Sequence, residues 1–556
     1  DKKKSAFVSG GTDEEKVTRF VAGGVVSIIG FAVGGLFGGA LWMIAMTQML
    51  GPQDFGILGP IFQGFFASAA LVSLGIPQAI TTYVSHHYEF QFEESKKFII
   101  DGNRLLIIIA VLFFVVLTAV TGALFLSQKV NFFFFALLTT VAFGLLTTVV
   151  FWSLNGILNG FQRLDYVAIG NIVAPVAMFI TSMITVVVIQ QISGKETKWD
   201  IWGGALGLGA GGFFGAVCAA LLVRKTSLVG LKDLFSLAHS YGLYRKIITF
   251  GGVTTVALVG YMVFGGIVCP LVGFIAVRFG WFAGTYSENL TQSGYFSAAF
   301  SYAMVPMLVM GIVIALIPAI SEAEGQGKKD LMQKYFALAV KYSLGIMFAL
   351  FAAYAAVGGP LVELLSGGSF PARVLGPITT LLCFGFCFNG LYYLLMNLFI
   401  GLKRPIVPAT AVFFVLTLEV SAIIFFSYFF RNILHASLGM VIALIFGAVY
   451  LLIYTTKVAG LRFYLWIIII PTAALIPSWL TGYFLLPKDG LWAVGNFVIT
   501  VLIFTLFYAF FGGYDTEDFK MFRETMLSMN QRHAVNFLSG AEKFLRKTPF
   551  FEWYNK

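Results

Sequence analysis

The stretch FVAGGVVSIIGFAVGGLFGGALWMIAMTQM, residues 20–49, decides the fold. It carries no charged side chain, and about 20 apolar residues suffice to cross the hydrocarbon core of a bilayer as a helix. Within it Gly30, Gly34 and Gly38 recur every fourth residue, with Gly35 and Gly39 beside them. That spacing puts small residues on one helical face, which reads either as a close helix–helix contact or as a hinge. Similar runs fill the rest of the chain. Of its 556 residues 59% are hydrophobic and 11% charged, whereas an ordinary soluble domain carries about 25% charged residues. Most of the surface must therefore face lipid.

The same ruler places further spans near 55–83, 98–126, 131–158, 165–191 and 201–223, then near 247–279, 293–320, 338–365, 374–400, 406–430, 436–457, 463–486 and 491–511. Basic residues test the count, because cytoplasmic loops collect Lys and Arg. With residues 1–19 taken as cytoplasmic, 29 of the 36 Lys and Arg fall on the inner side. A wrong number of spans would scramble that alternation from the error onward. The expectation is a multi-pass protein of the cell (plasma) membrane with fourteen spans and both termini cytoplasmic. The net charge of +10 then follows from topology and requires no nucleic acid. The first apolar run is too long for the core of a cleavable signal peptide. Between spans 6 and 7, the stretch SLVGLKDLFSLAHSYGLYR, residues 227–245, has apolar residues at helical spacing and predicts an interfacial helix, as does the tail. The four cysteines sit in apolar runs and read as core residues; Cys383 and Cys387 share a helical face but lack further ligands for a metal. No cofactor is expected. Asn289-Leu290-Thr291 forms a glycosylation tripeptide on the outer side.

Two local patterns recur at one offset. Ile76-Pro77-Gln78-Ala79-Ile80 is matched by Ile317-Pro318-Ala319-Ile320, and Gly160-Phe161-Gln162-Arg163 by Gly401-Leu402-Lys403-Arg404, each 241 residues on. Shared spacing argues for a duplicated unit. Six spans separate the equivalents, an even number, so the copies run parallel, which is a transporter architecture. The expected fold is an all-α polytopic membrane protein of about 14 transmembrane helices, with two parallel six-helix lobes around a central cavity plus two extra helices. Its parts are a segment at 1–19, an N-lobe at 20–223, an amphipathic linker at 224–246, a C-lobe at 247–457, spans 13 and 14 within 458–511, and an amphipathic tail at 512–556.

Leu50-Gly51-Pro52-Gln53-Asp54-Phe55-Gly56 followed by Leu74-Gly75-Ile76-Pro77-Gln78-Ala79 resembles the first two spans of polysaccharide-biosynthesis flippases of the MOP superfamily. Ser293-Gly294-Tyr295-Phe296-Ser297 with Ile317-Pro318-Ala319-Ile320-Ser321 resembles the opening of their second lobe. The turn Gly401-Leu402-Lys403-Arg404-Pro405 and the tail start Thr516-Glu517-Asp518-Phe519 also fit. The resemblance implies two lobes, alternating access, and movement of a polyprenyl-linked oligosaccharide from the cytoplasmic to the outer leaflet, alongside glycosyltransferases of the same pathway. The charge-free first span departs from the lipid II flippase, which carries basic residues there, and from those cation-coupled MATE exporters that carry an acid.

Ionisable groups inside a membrane are costly and so are candidates for function. Arg104, near Asp101, reads as a phosphate contact or as a snorkelling arginine. Glu419, midway along span 11, reads as a coupling residue for a proton or cation, or as a structural hydrogen-bonding group. Arg278 and Arg373 sit near the outer mouth. Amides suit sugar hydroxyls because they both donate and accept. Gln48, Gln63, Gln78, Asn155, Asn159, Asn171, Asn389 and Asn397 all fall in or at the ends of lobe helices, as substrate contacts or as interhelical hydrogen bonds. Two other functions compete with the flippase. A MATE-like multidrug or cation antiporter shares the architecture. A membrane glycosyltransferase or polymerase generally needs a large external loop with clustered acids or Arg and His; here those loops are short and only His435 is external, so no enzyme is expected.

Overall fold

The computed structural model describes residues 13–87, 92–193, 199–226, 242–266, 268–282, 285–528 and 532–548, with isolated positions 229–230, 232, 234 and 551. All regular elements among them are helical. The first half holds α1 (Asp13–Gly35), which runs through a π-helical turn (Leu36–Leu41) into α2 (Trp42–Ser73), then α3 (Ile76–His87), α4 (Phe92–Leu126), α5 (Phe132–Gly160), α6 (Leu164–Ser193) and α7 (Trp199–Thr226). The second half holds α8 (Tyr244–Gly266), α9 (Val268–Phe279), α10 (Tyr286–Ala303), α11 (Met310–Gly325), α12 (Lys329–Leu365), α13 (Ala372–Gly401), α14 (Ile406–Phe430) and α15 (Ile433–Tyr454). After these come α16 (Trp466–Phe484) and α17 (Trp492–Phe510), then the tail helices α18 (Thr516–Ser528) and α19 (Arg532–Leu545).

Twelve helical stretches among the described residues are long and apolar enough to cross a membrane. The first covers 51 residues, Gly23–Ser73, about 77 Å at 1.5 Å per residue and more than twice the bilayer core. It is two spans. Gly51 breaks it with φ 71° and ψ 174°, a conformation essentially reserved for glycine, and Pro52 further disfavours a helical residue before it. With that division, and with α8 and α9 counted as one more, the described residues are consistent with the expectation of about fourteen. Helices suit this environment because they satisfy their own backbone polar groups. Their outward faces are apolar: Leu112, Val115 and Val116 on α4, Phe413 and Phe414 on α14, and Leu502 and Leu506 on α17 are all exposed.

Helices α1–α7 pack mainly on one another, with α7 against α5 and α6 and α3 against α5; α8–α15 do likewise through the pairs α12–α13, α13–α15 and α14–α15. The α16–α17 pair lies against α12. Where the halves meet, α2 packs on α10 and α8, and α11 on α1 and α3. The two turns spaced by 241 share one backbone form. Gln162 and Lys403 both take the left-handed conformation, at φ 55° and 54°. Phe161 and Leu402 donate to Ile157 and Leu398, and Arg163 and Arg404 to Leu158 and Phe399.

The glycine stripe of α1 and its π-helical turn is a packing face. A Cβ on Gly30, Gly34 or Gly38 would collide with Ala168, Asn171 or Pro175 of α6. Most of the expected interfacial helix at 227–245 lies outside the described residues. What is described of the linker is held by α4: Asn103 donates to the Leu234 carbonyl at 2.8 Å, and Asp101 accepts from the Leu243 N–H at 2.9 Å. Asn289 is buried, and its amide donates to the Thr285 carbonyl at 2.8 Å, so the glycosylation tripeptide is folded into α10.

Candidate functional site: a neutral, amide-lined cavity

An amide inside an apolar helix must find a polar partner, and seven of the eight singled out in the sequence converge. A cavity of about 490 Å³ lies between the two halves, within the range of small-ligand pockets. Gln63 reaches it from α2, Gln78 from α3, Asn155 and Asn159 from α5, Asn171 from α6, and Asn389 and Asn397 from α13. Phe31, Phe65, Phe66, Phe151, Trp152 and Tyr393 supply aromatic walls, and none of the described residues lining it is charged. The glycines of α1 and the following π-helical turn form part of the wall: Gly39 faces open space, with nothing within 4 Å of an added Cβ.

The amides are partly committed. Asn155 Nδ2 donates to Asn171 Oδ1 at 3.1 Å, Asn159 Nδ2 to the Ile314 carbonyl at 3.4 Å, Asn397 Nδ2 to the Tyr393 carbonyl at 2.7 Å, and Gln63 Nε2 to Ser301 Oγ at 3.1 Å. Gln78 Oε1 and the Oδ1 atoms of Asn155, Asn159 and Asn389 are covered yet have no hydrogen-bond partner among the described residues.

The halves touch at both ends of this cavity. At one end Lys16 pairs with Glu322 at 2.7 Å and donates to Gln326 at 3.0 Å, while Gln162 donates to Glu322 at 2.8 Å. His86 approaches Glu324 at 3.7 Å beside them. At the other end Gln48 donates to the Leu365 carbonyl at 2.9 Å, Phe55 meets Phe370 edge-on, and Gly56 and Gly59 press on Leu290 and Ser297. In the sequence Lys16 is one of many inner-side basic residues, and nothing there marks its pairing with Glu322 in the other half of the chain.

Six of the eight expected substrate contacts, Gln63, Gln78, Asn155, Asn159, Asn389 and Asn397, line the cavity, and Asn171 joins them. Gln48 lies at its closed end instead. Arg104 is outside it, on α4 next to the residues that hold the linker. Glu419 is also outside, in α14, 1% exposed and with Oε1 unpartnered. Arg373 lines a second cavity of about 760 Å³ between α12, α13 and α16, with Lys488. The Lys488 ammonium sits 3.4 Å from the centre of the Tyr483 ring. The described residues contain no cluster of three metal-ligating side chains.

Two lobes of apolar helices closing on a polar cavity are the fold seen in membrane transporters of the MOP superfamily. Solved structures share the fold: MATE in complex with MaL6 aligns with a TM-score of 0.63 at 18% identity, covering 81% of this chain and 97% of that one. A MOP superfamily transporter from Pyrococcus furiosus aligns with a TM-score of 0.62 at 18% identity, over 82% and 98%. An outward-facing multidrug resistance MATE family transporter gives 0.60 at 17%, over 81% and 97%. The polysaccharide biosynthesis protein family model matches residues 22–324, and the chain belongs to that family. No curated protein matches it.

Proposed function

We propose that the chain is a flippase that moves a polyprenyl-linked oligosaccharide from the cytoplasmic to the outer leaflet by alternating access. The observation that carries this reading is the amide-lined cavity between two lobes in a member of a polysaccharide biosynthesis family. Gln63, Gln78, Asn155, Asn159, Asn389 and Asn397 bind the sugar, since amides match hydroxyls in both donor and acceptor capacity. Glu419 couples transport to a proton or cation, in keeping with the cost of burying an acid in a membrane helix. Gln48 serves the closure of one end. Arg104 holds its place on the linker-bearing face of α4, away from the sugar. The N-lobe (20–223), linker, C-lobe (247–457) and added spans (458–511) divide the work as two moving bodies and an accessory pair. The distribution of basic residues supports plasma-membrane insertion with both termini cytoplasmic, where glycosyltransferases of the pathway would deliver the substrate.

The test is reconstitution of the purified protein in proteoliposomes with a fluorescent lipid-linked oligosaccharide. The expected result is transfer between leaflets without any change in the glycan. The MATE-like fold favours one rival, a cation antiporter. Uptake of cationic dyes with no movement of the lipid would establish that rival and end the flippase reading.

A further inference from the structure

We propose that the central cavity selects an uncharged, hydroxyl-rich sugar head group and rejects glycans that carry a carboxylate or phosphate on the sugar. The inference rests on the flippase reading and narrows it. Two independent observations carry it.

The first is charge. Among the described residues the lining mixes seven amides with aromatic and small residues and contains neither a cation nor an acid. A buried anion without a paired cation loses hydration worth several kcal/mol that neutral dipoles only partly replace. An organic cation is equally unprovided for, because no carboxylate faces it.

The second is the direction of unmet hydrogen bonding. Four amide oxygens, on Gln78, Asn155, Asn159 and Asn389, lack partners. The reorientation of Asn155 and Asn159 is restricted. Asn159 Nδ2 donates to the Ile314 carbonyl, which only accepts, so turning that amide over would set two oxygens face to face. Asn155 Nδ2 is likewise occupied by Asn171 Oδ1. The unmet hydrogen-bonding capacity just beneath the wall is therefore that of acceptors, and side-chain rotations that uncover them would meet donors. A sugar hydroxyl supplies a donor; a carboxylate or phosphate supplies more acceptors and would leave oxygen against oxygen. The apolar faces of a sugar ring have Phe65, Phe66 and Trp152 to lie against. The linking phosphate of the carrier lipid, which is anionic by nature, accordingly stays outside the amide ring while the sugar occupies it.

The experiment compares two synthetic short-chain prenyl pyrophosphate glycolipids that differ only in one hexose replaced by its uronic acid. Binding to the detergent-solubilised protein is followed by tryptophan fluorescence, with Trp152→Phe as the blank, and flipping is measured separately in proteoliposomes. The neutral glycolipid is expected to bind at least tenfold more tightly. Asn159→Lys, which supplies the missing cation, should erase or reverse that preference. If that variant does not fold, Gln78→Lys, at a half-buried position, tests the same point. Equal binding of the two glycolipids, or tighter binding of the uronic one, overturns the inference even if flipping is intact. Absence of flipping with the preference retained overturns the transport reading alone. Tighter binding of a quaternary ammonium dye than of either lipid overturns both.

Discussion

Gly34 and Gly39 lie five residues apart in one continuous helical segment and stand in opposite surroundings. A Cβ on Gly34 would sit 2.1 Å from the Asn171 carbonyl oxygen, whereas one on Gly39 would meet nothing within 4 Å. Gly34→Ala must push backbone against backbone, and overpacking of this kind costs about 1–3 kcal/mol. We expect it to lower the melting temperature in detergent, with Gly39→Ala close to wild type; equal melting of the two would contradict the packing role. Glu419→Gln keeps the shape of a buried side chain and removes its ability to take up and release a proton. It should cut flipping at least tenfold with the melting temperature unchanged, and undiminished flipping would remove Glu419 from the mechanism. The amides show what is legible at this scale. Their presence inside apolar runs was enough to place Gln63, Gln78, Asn155, Asn159, Asn389 and Asn397 at one site, since a lipid-facing amide is costly. Gln48 and Arg104 went elsewhere because position along a span sets depth in the membrane, and not the neighbour toward which a side chain turns.

The tail helices show what one element does to another. Lys341 of α12 is buried and pairs with Asp515 at 3.0 Å and with Asp518, while Tyr342 donates to Asp518 at 2.6 Å. These contacts seat α18 beneath α12, with Phe519 and Tyr514 packed alongside Ala509 at the end of α17. Removing one partner of a buried pair costs about 3–5 kcal/mol because the other charge is stranded. Lys341→Met should therefore release the tail, seen as faster proteolysis between α17 and α18; an unchanged cleavage rate would show that the apolar contacts alone hold it. Between α18 and α19, Glu542 pairs with Arg523 and with Arg546. Burial opposes ionisation of its carboxyl, yet the two guanidinium groups prevail and hold it below the ordinary glutamate range. A depressed carboxyl contributes above its unfolded value and loses that contribution as the pH falls through the folded one. Hydrogen exchange in α19 should accordingly be flat around neutral pH and quicken, after correction for intrinsic rates, only in acid. Exchange that quickened between pH 6 and 8 would point to another group. The apolar runs made the spans legible, whereas the break that Gly51-Pro52 makes between two of them depends on a backbone conformation that only the structure shows. The docking of the tail was not legible, because Lys341 and Asp518 are 177 residues apart and neither looks unusual alone.

For the molecule as a whole, the lobes meet at both ends of the cavity, and one end must part for cargo to enter. Lys16 and Glu322 join the halves at the ionic end. Lys16→Cys with Glu322→Cys, bridged by a short bifunctional thiol reagent, should halt flipping, and a cleavable bridge should restore it on reduction. Flipping that continued through the bridge would exclude opening at this end. The 241-residue repeat made two parallel lobes legible, but not their contacts, since α1–α11 and α2–α10 pair across the duplication rather than within it. The uncharged cavity carries one more consequence, concerning the energy landscape of the empty carrier. Moving one elementary charge through a membrane potential of 100 mV involves about 2.3 kcal/mol, and this cavity wall has none to move. The wall itself should therefore add no voltage dependence to the return stroke without cargo, and on the flippase reading voltage dependence of the cycle would point to the cargo's phosphate or to charges outside the wall such as Glu419. Current recordings on the Glu419→Gln protein would separate those two sources.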